Sequence, residues 1–228
     1  LSGKTLLNLG HPGNGPLSTY AQINEYLTPK MKNILWLYFE GEGHFRLEEE
    51  LKSQLLIKYL KNKNFKQNLK SKQKEIDKLI ESYINIAIGE RKIISQKKIL
   101  NFIKLSNLKK NIYSQVQPII KMPSEFEKIL ELTKNKIEEN NSKLYFVYLP
   151  SFYRYKFENH NFTENYEYIK KIVKEMEIPF VDIHKNVFEK EVEPLKLFPF
   201  EKNGHYNQLG YKKIAEEIFR SVIIKDDS

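Results

Sequence analysis

Cysteine is absent from the 228-residue chain, which excludes a disulfide framework, a thiolate metal site and a cysteine nucleophile while leaving the compartment open. No apolar run approaches 18 residues, so no segment reads as a membrane-spanning helix. Glycine and proline number only 9 each, against 14 Phe and 14 Tyr. That scarcity excludes collagen-like, low-complexity and disordered chains and leaves a globular protein. Aspartate occurs only at Asp77, Asp182, Asp226 and Asp227, which narrows the choice of any catalytic acid. No HExxH or comparable metal-ligand spacing is present among the histidines His11, His44, His160, His184 and His205. The opening LSGKTLLNLG has an early Lys4 but no apolar h-region, so it reads as the inside of a fold rather than a signal peptide.

What is there fits one α/β domain, or a domain with a helical insertion, of a size able to bury a substantial core. The net charge is +9, and residues 51–110 hold 16 Lys and Arg against 4 Asp and Glu, a balance of +12. This segment permits an anionic partner such as a polysaccharide, a nucleic acid or a membrane surface. It also reads as a solvated helical face, because 34 of the 38 basic residues are Lys and phosphate recognition usually recruits Arg. The Lys- and Asn-rich composition is of a bacterial type, and a cytoplasmic or peripheral membrane location is expected.

Thr5–Leu9, Asn33–Phe39, Lys143–Leu149 and Pro179–Ile183 read as strands, the second and third so apolar that both faces need cover. Leu17–Leu27, Ser124–Glu139, Thr163–Met176 and Asn207–Ile224 read as helices. The alternation predicts a mostly parallel sheet with helices on both faces, a three-layer α/β/α arrangement of the flavodoxin-like kind. Residues 45–121 break the rhythm and predict a basic helical insertion or cap. Within it, Leu55, Leu56, Tyr59, Leu60, Ile76, Leu79, Ile80 and Tyr83 are expected on one buried stripe.

Ligand sites in such sheets gather at the carboxyl ends of the strands. There the sequence places Gly10, Gly13 and Gly15 in one turn before a helix, suited to an oxyanion or phosphate or simply to a tight turn. It places Glu40 to His44 after the second strand, Pro150 to Arg154 after the third, and Asn203, Gly204, His205 and Tyr206 before the last helix. His205, in a polar turn, suits a general base.

Together the stretches Asn8 to Gly15, Trp36 to Gly41, Tyr145 to Pro150, and Gly204-His205-Tyr-Asn followed by the helix Lys212–Phe219 resemble the SGNH/GDSL hydrolase family. The resemblance covers most of the chain outside the insertion. It implies a single domain over 1–228 lacking its first strand, and an ester hydrolase or acyltransferase acting on a small or carbohydrate ester. It calls for no cofactor and no metal. His205 then matches the base near the C-terminus, and the Gly13 amide matches an oxyanion-hole donor, with Asn14, Glu42, Ser151, Arg154 and Asn203 expected to line the substrate. The triad acid falls on Glu193, with Glu201 or Asp182 as alternatives. The family's Gly-Asp-Ser nucleophile turn does not occur in the chain, so the serine is expected upstream of Leu1, and Glu42 stands where the family carries its oxyanion asparagine. Two other readings remain open: a degenerate domain of this kind that binds a ligand or partner without catalysis, and a basic interaction module acting through 51–110.

Overall fold

The structure, a computed structural model, describes residues 3, 5–40, 43–85, 122–157, 160–202 and 204–224. The chain divides into two compact units, Leu1–Phe65 with Lys121–Ser228, and Lys66–Ile120.

In the first unit the element order is α1 (Pro16–Tyr26), β1 (Asn33–Phe39), α2 (Gly43–Glu50) and α3 (Gln54–Lys61). After the second unit, which holds α4 (residues 73–85), come α5 (Glu125–Glu139), β2 (Lys143–Leu149), α6 (Phe152–Lys156) and α7 (His160–Glu175). Then come β3 (Phe180–Asp182), α8 (Ile183–Asn186), three short 3-10 turns, α9 (Gln208–Ile218) and a π-helical segment, Phe219–Ile224, that continues it. This is an α/β fold whose described residues include a parallel sheet of three strands in the order β1-β2-β3. Asn33 pairs with Lys143 and Phe39 with Leu149, so β1 and β2 end together.

Alternate residues of the sheet feed two apolar clusters, as strands buried on both faces require. Trp36, Tyr38, Phe146 and Tyr148 pack with Leu17 and Tyr20 of α1, Phe126 and Leu130 of α5 and Ile169 of α7. Tyr145, Val147 and Val181 pack with Phe152, Phe188, Phe198, Tyr206 and Ile214. Aromatic rings fill the first cluster, with Tyr38 stacked 5.5 Å from Phe146 and 5.8 Å from Tyr148.

Thr5–Leu9 forms no strand, a correction to the sequence expectation, and Leu6 and Leu7 are 76% and 57% exposed. Its apolar pattern is strand-like, but an extended segment without a neighbour has no ladder to take up its N–H and C=O groups. Among the described residues β1 is the sheet's outer strand on that side, and Leu37 on it is 55% exposed.

Helices α2 and α3, which the expected insertion at 45–121 included, belong to the first unit, where Leu47 and Tyr59 are fully buried. The buried stripe forms only in part. Tyr59 is 1% exposed, whereas Leu55 on α3 is 43% exposed and Leu79, Ile80 and Tyr83 on α4 are 55%, 48% and 63% exposed. The period identified the helices, but nothing in a periodicity says which apolar faces a neighbour covers. Residues 86–121 lie outside the described residues.

Candidate functional site at the carboxyl ends of the strands

β1 ends on a carboxylate. Glu40 is 4% exposed, and three elements converge on it. The Tyr148 hydroxyl at the end of β2 donates to Oε1, and the Ser151 amide donates to Oε2 at 3.0 Å. Arg154, one turn into α6, donates through Nε to both oxygens at 2.9 and 3.1 Å and through Nη2 to Oε1. Nη2 also reaches the Phe162 carbonyl at 2.6 Å. Burial opposes the guanidinium's charge, but the Glu40 carboxylate outweighs it and holds the pKa of Arg154 above its ordinary value. Burial, and then Glu40, push the Tyr148 phenol well above its ordinary range, so it stays a donor.

Beside this pair lies a cleft of about 530 Å³. Arg154, Tyr155, Thr163, Tyr166, Glu167, His184, Lys185, Phe188, Glu189, Glu191 and Pro194 line it. β3 places His184 there, because Asp182 caps α8 by accepting the Lys185 amide at 3.0 Å. Burial, and then the charge of Arg154, lower the His184 pKa to about 3. A neutral ring has one donor and one acceptor. The Tyr155 hydroxyl, kept protonated by burial and by Glu40, lies 2.8 Å from Nδ1, and Glu189 Oε1 lies 3.1 Å from Nε2. These partners select the tautomer with the proton on Nε2, and the contact with Glu189 is a hydrogen bond rather than an ion pair.

A pH dependence follows from that neutral ring. An unfolded His184 takes up its proton near its ordinary value of about 6.5, whereas the folded ring resists protonation down to about 3. The unfolded state therefore binds more protons in that window, and stability falls as pH falls through it. The limiting slope is about 1.4 kcal/mol per pH unit. Urea titrations between pH 7 and 5, above the range where most carboxylates titrate, should show a steeper loss for the native chain than for His184→Asn. Equal slopes would remove the buried-histidine account.

The Gly10 to Gly15 turn has a different outcome from an open anion cradle. Glu50, at the end of α2, accepts from the amides of Gly15 at 2.7 Å, Leu17 at 2.9 Å and Ser18 at 3.1 Å. The N-terminus of α1 thus binds the chain's own carboxylate. A Cβ on Gly15 would stand 2.5 Å from Glu50 Oε2 and 2.7 Å from Arg46 Cβ, so this glycine is required by close approach. Gly13 has a φ of +89°, and its open face looks toward the Arg46 guanidinium, 3.8 Å from where a Cβ would be. Replacing Glu50 by alanine uncovers three helix amides and should cost about 2 kcal/mol. Thermal unfolding checks this, and an unchanged melting point would show that water replaces the carboxylate without loss.

His205 is exposed, on the stretch between a 3-10 turn and α9. Its neighbour Tyr206 is buried and donates its hydroxyl to the Pro150 carbonyl at 2.6 Å, which ties the His205 turn to the carboxyl end of β2. Asn14 is half-buried, and its amide donates to His11 O at 3.2 Å within the glycine turn. Ser151 is 2% exposed and caps α6, accepting from the Tyr153 amide at 3.2 Å. Glu193 is exposed and pairs with Lys196 at 2.5 Å, Asp182 is held by Tyr166 and the Lys185 amide, and Glu201 is exposed. The structure thus brings Ser151 and Arg154 together around Glu40 and gives each alternative for the acid a different partner or open solvent. Glu42 and Asn203 lie outside the described residues.

Sequence reasoning missed Glu40, Glu50, His184, Tyr155 and Glu189. A signal existed for Glu40, since a carboxylate ending a continuous apolar strand needs a cation, and Arg154 is the one arginine in a strand-end loop. Among the described residues no group of three His, Asp or Glu side chains is placed to hold a metal ion, and no helix is long and apolar enough to cross a membrane. Comparison of the chain with protein-family models, with curated proteins and with solved structures finds no match in any of the three.

Proposed function

We propose that the chain is an SGNH/GDSL-like ester hydrolase or acyltransferase domain acting on a small or carbohydrate ester. His205 is the general base, Gly13 an oxyanion donor, and the serine nucleophile comes from chain upstream of Leu1. The observation that carries the reading is the Tyr206 to Pro150 hydrogen bond, which holds the His205 turn at the carboxyl edge of the sheet. Arg46 of α2, the helix that follows β1, lies 3.8 Å from where a Gly13 Cβ would stand, which supports a place for Gly13 at the same edge. The two apolar clusters on opposite faces of the sheet support a three-layer α/β/α arrangement. The side of β1 that has no partner strand among the described residues supports a further strand there.

In this reading the serine hydroxyl attacks the ester carbonyl while His205 takes its proton. The Gly13 amide stabilises the oxyanion, and the histidine returns the proton to the leaving alcohol. Because Glu193 is engaged by Lys196, the chemistry runs on a Ser/His pair. The test is hydrolysis of an aryl acetate by the 228-residue chain and by the chain extended upstream to a Gly-Asp-Ser turn. Turnover that requires the extension supports the reading, and background rates for both defeat it. A second reading, the same domain binding its ligand without chemistry, is favoured by Glu42, whose carboxylate would repel a developing oxyanion.

The basic excess supports an anionic partner as a separate property. Residues 66–120 hold 12 Lys and Arg against 4 Asp and Glu, a balance of +8 out of the chain's +9, in one compact unit. Retention of the chain on heparin should weaken steeply between about 50 and 200 mM salt. Retention that ignores salt would leave a solvated lysine surface and nothing more.

A further inference from the structure

Phe200 is 91% exposed, on a backbone with φ 54° and ψ 25°, and Glu201 follows with φ 53°. Two successive non-glycine residues in the left-handed region are costly, and a bulky aromatic there is a rare case. Folding gives nothing back for this one, because its ring leaves the core. Its neighbours behave oppositely. Leu197 and Phe198 are each 1% exposed, and the Phe198 ring packs 5.3 Å from Tyr206. The Asn207 amide donates to Leu197 O at 2.9 Å, and its side chain donates to Lys196 O at 2.7 Å. The stretch is therefore clamped at its base by 196–198 and 206–207. From that one closed loop it projects two exposed rings, Phe200 and His205, at the edge where Tyr206 is tied to Pro150.

We infer that Phe200 is a specificity-determining residue that receives the apolar acyl portion of the ester on which His205 acts as base, so that the preferred acyl group is longer than acetyl. This rests on the ester-hydrolase reading. A strained, rigidly based loop holds the phenyl face out before substrate arrives, so the contact needs little further ordering on binding. Burial of two methylenes against it corresponds to about tenfold in affinity.

Titration of the 228-residue chain with sodium octanoate and sodium acetate, followed by NMR, tests this without turnover. Octanoate should bind at least tenfold more tightly than acetate. Phe200→Gly and Phe200→Asn, which suit the left-handed backbone, should melt no lower than the native chain and bring the two affinities within twofold. Val192→Ser, at a 98% exposed apolar position, should leave the preference intact. The inference is overturned if octanoate shows no preference, if the preference survives both Phe200 variants, or if Val192→Ser removes it equally. The ester-hydrolase reading fails on a different result, the absence of turnover from the extended chain.

Discussion

Replacing Glu40 by alanine is expected to destabilise the fold by about 3–5 kcal/mol and lower its melting temperature by roughly 10 °C. The Arg154 and Glu40 side chains are 9% and 2% exposed. Removal of the carboxylate strands a guanidinium with the Phe162 carbonyl and the faces of the Phe162 and Tyr166 rings beside it. It also frees the Tyr148 hydroxyl and the Ser151 amide, both buried. An unpaired buried charge is far more costly than the pair is favourable. The double variant Glu40→Ala with Arg154→Met should therefore recover part of the loss. Urea unfolding of the two single variants and the double variant closes the cycle. Losses that simply add would show that the carboxylate acts through packing or through Tyr148 and Ser151 alone.

That network shows what a sequence can and cannot convey. β1 and β2 were legible to the residue, because NILWLYF and KLYFVYL are continuous apolar runs; both faces of β2 and the Trp36 and Tyr38 face of β1 become buried, while Leu37 on the other face of β1 is 55% exposed. TLLNL at 5–9 carries the same pattern and forms no strand, since a pattern states an appetite for burial and says nothing of a partner. α3 and α4 both follow helical spacing, yet Tyr59 is buried, its hydroxyl donating to Glu25 of α1, while Tyr83 is exposed. Arg154 stood out as an arginine in a strand-end loop. Its partner lies 114 residues away and is set by the register that aligns Phe39 with Leu149, which no local pattern contains. Glu50 was invisible for the same reason, 35 residues from the Gly15 amide that it accepts from.

The two histidines near the strand ends should separate cleanly by experiment. His205 is exposed, and no hydrogen bond or ion pair of its ring is found among the described residues. His205→Ala should therefore leave the melting temperature within about 1 °C, since exposed substitutions away from special features rarely exceed about 0.5 kcal/mol. In the chain extended to the proposed serine, the same change removes the proposed general base. The rate should fall by about 10⁴ or more. His184 is the converse. It is 7% exposed, held neutral, and bonded to Tyr155 and Glu189. His184→Ala leaves a cavity and frees the partly buried Tyr155 hydroxyl, at a cost of about 2–3 kcal/mol. Turnover per folded molecule should change by much less than in His205→Ala. Parallel melting curves and aryl acetate kinetics on the two variants decide the matter. A large rate loss in His184→Ala with a native melting point, beside an active His205→Ala, would transfer the base to His184 and the chemistry to the cleft around Arg154.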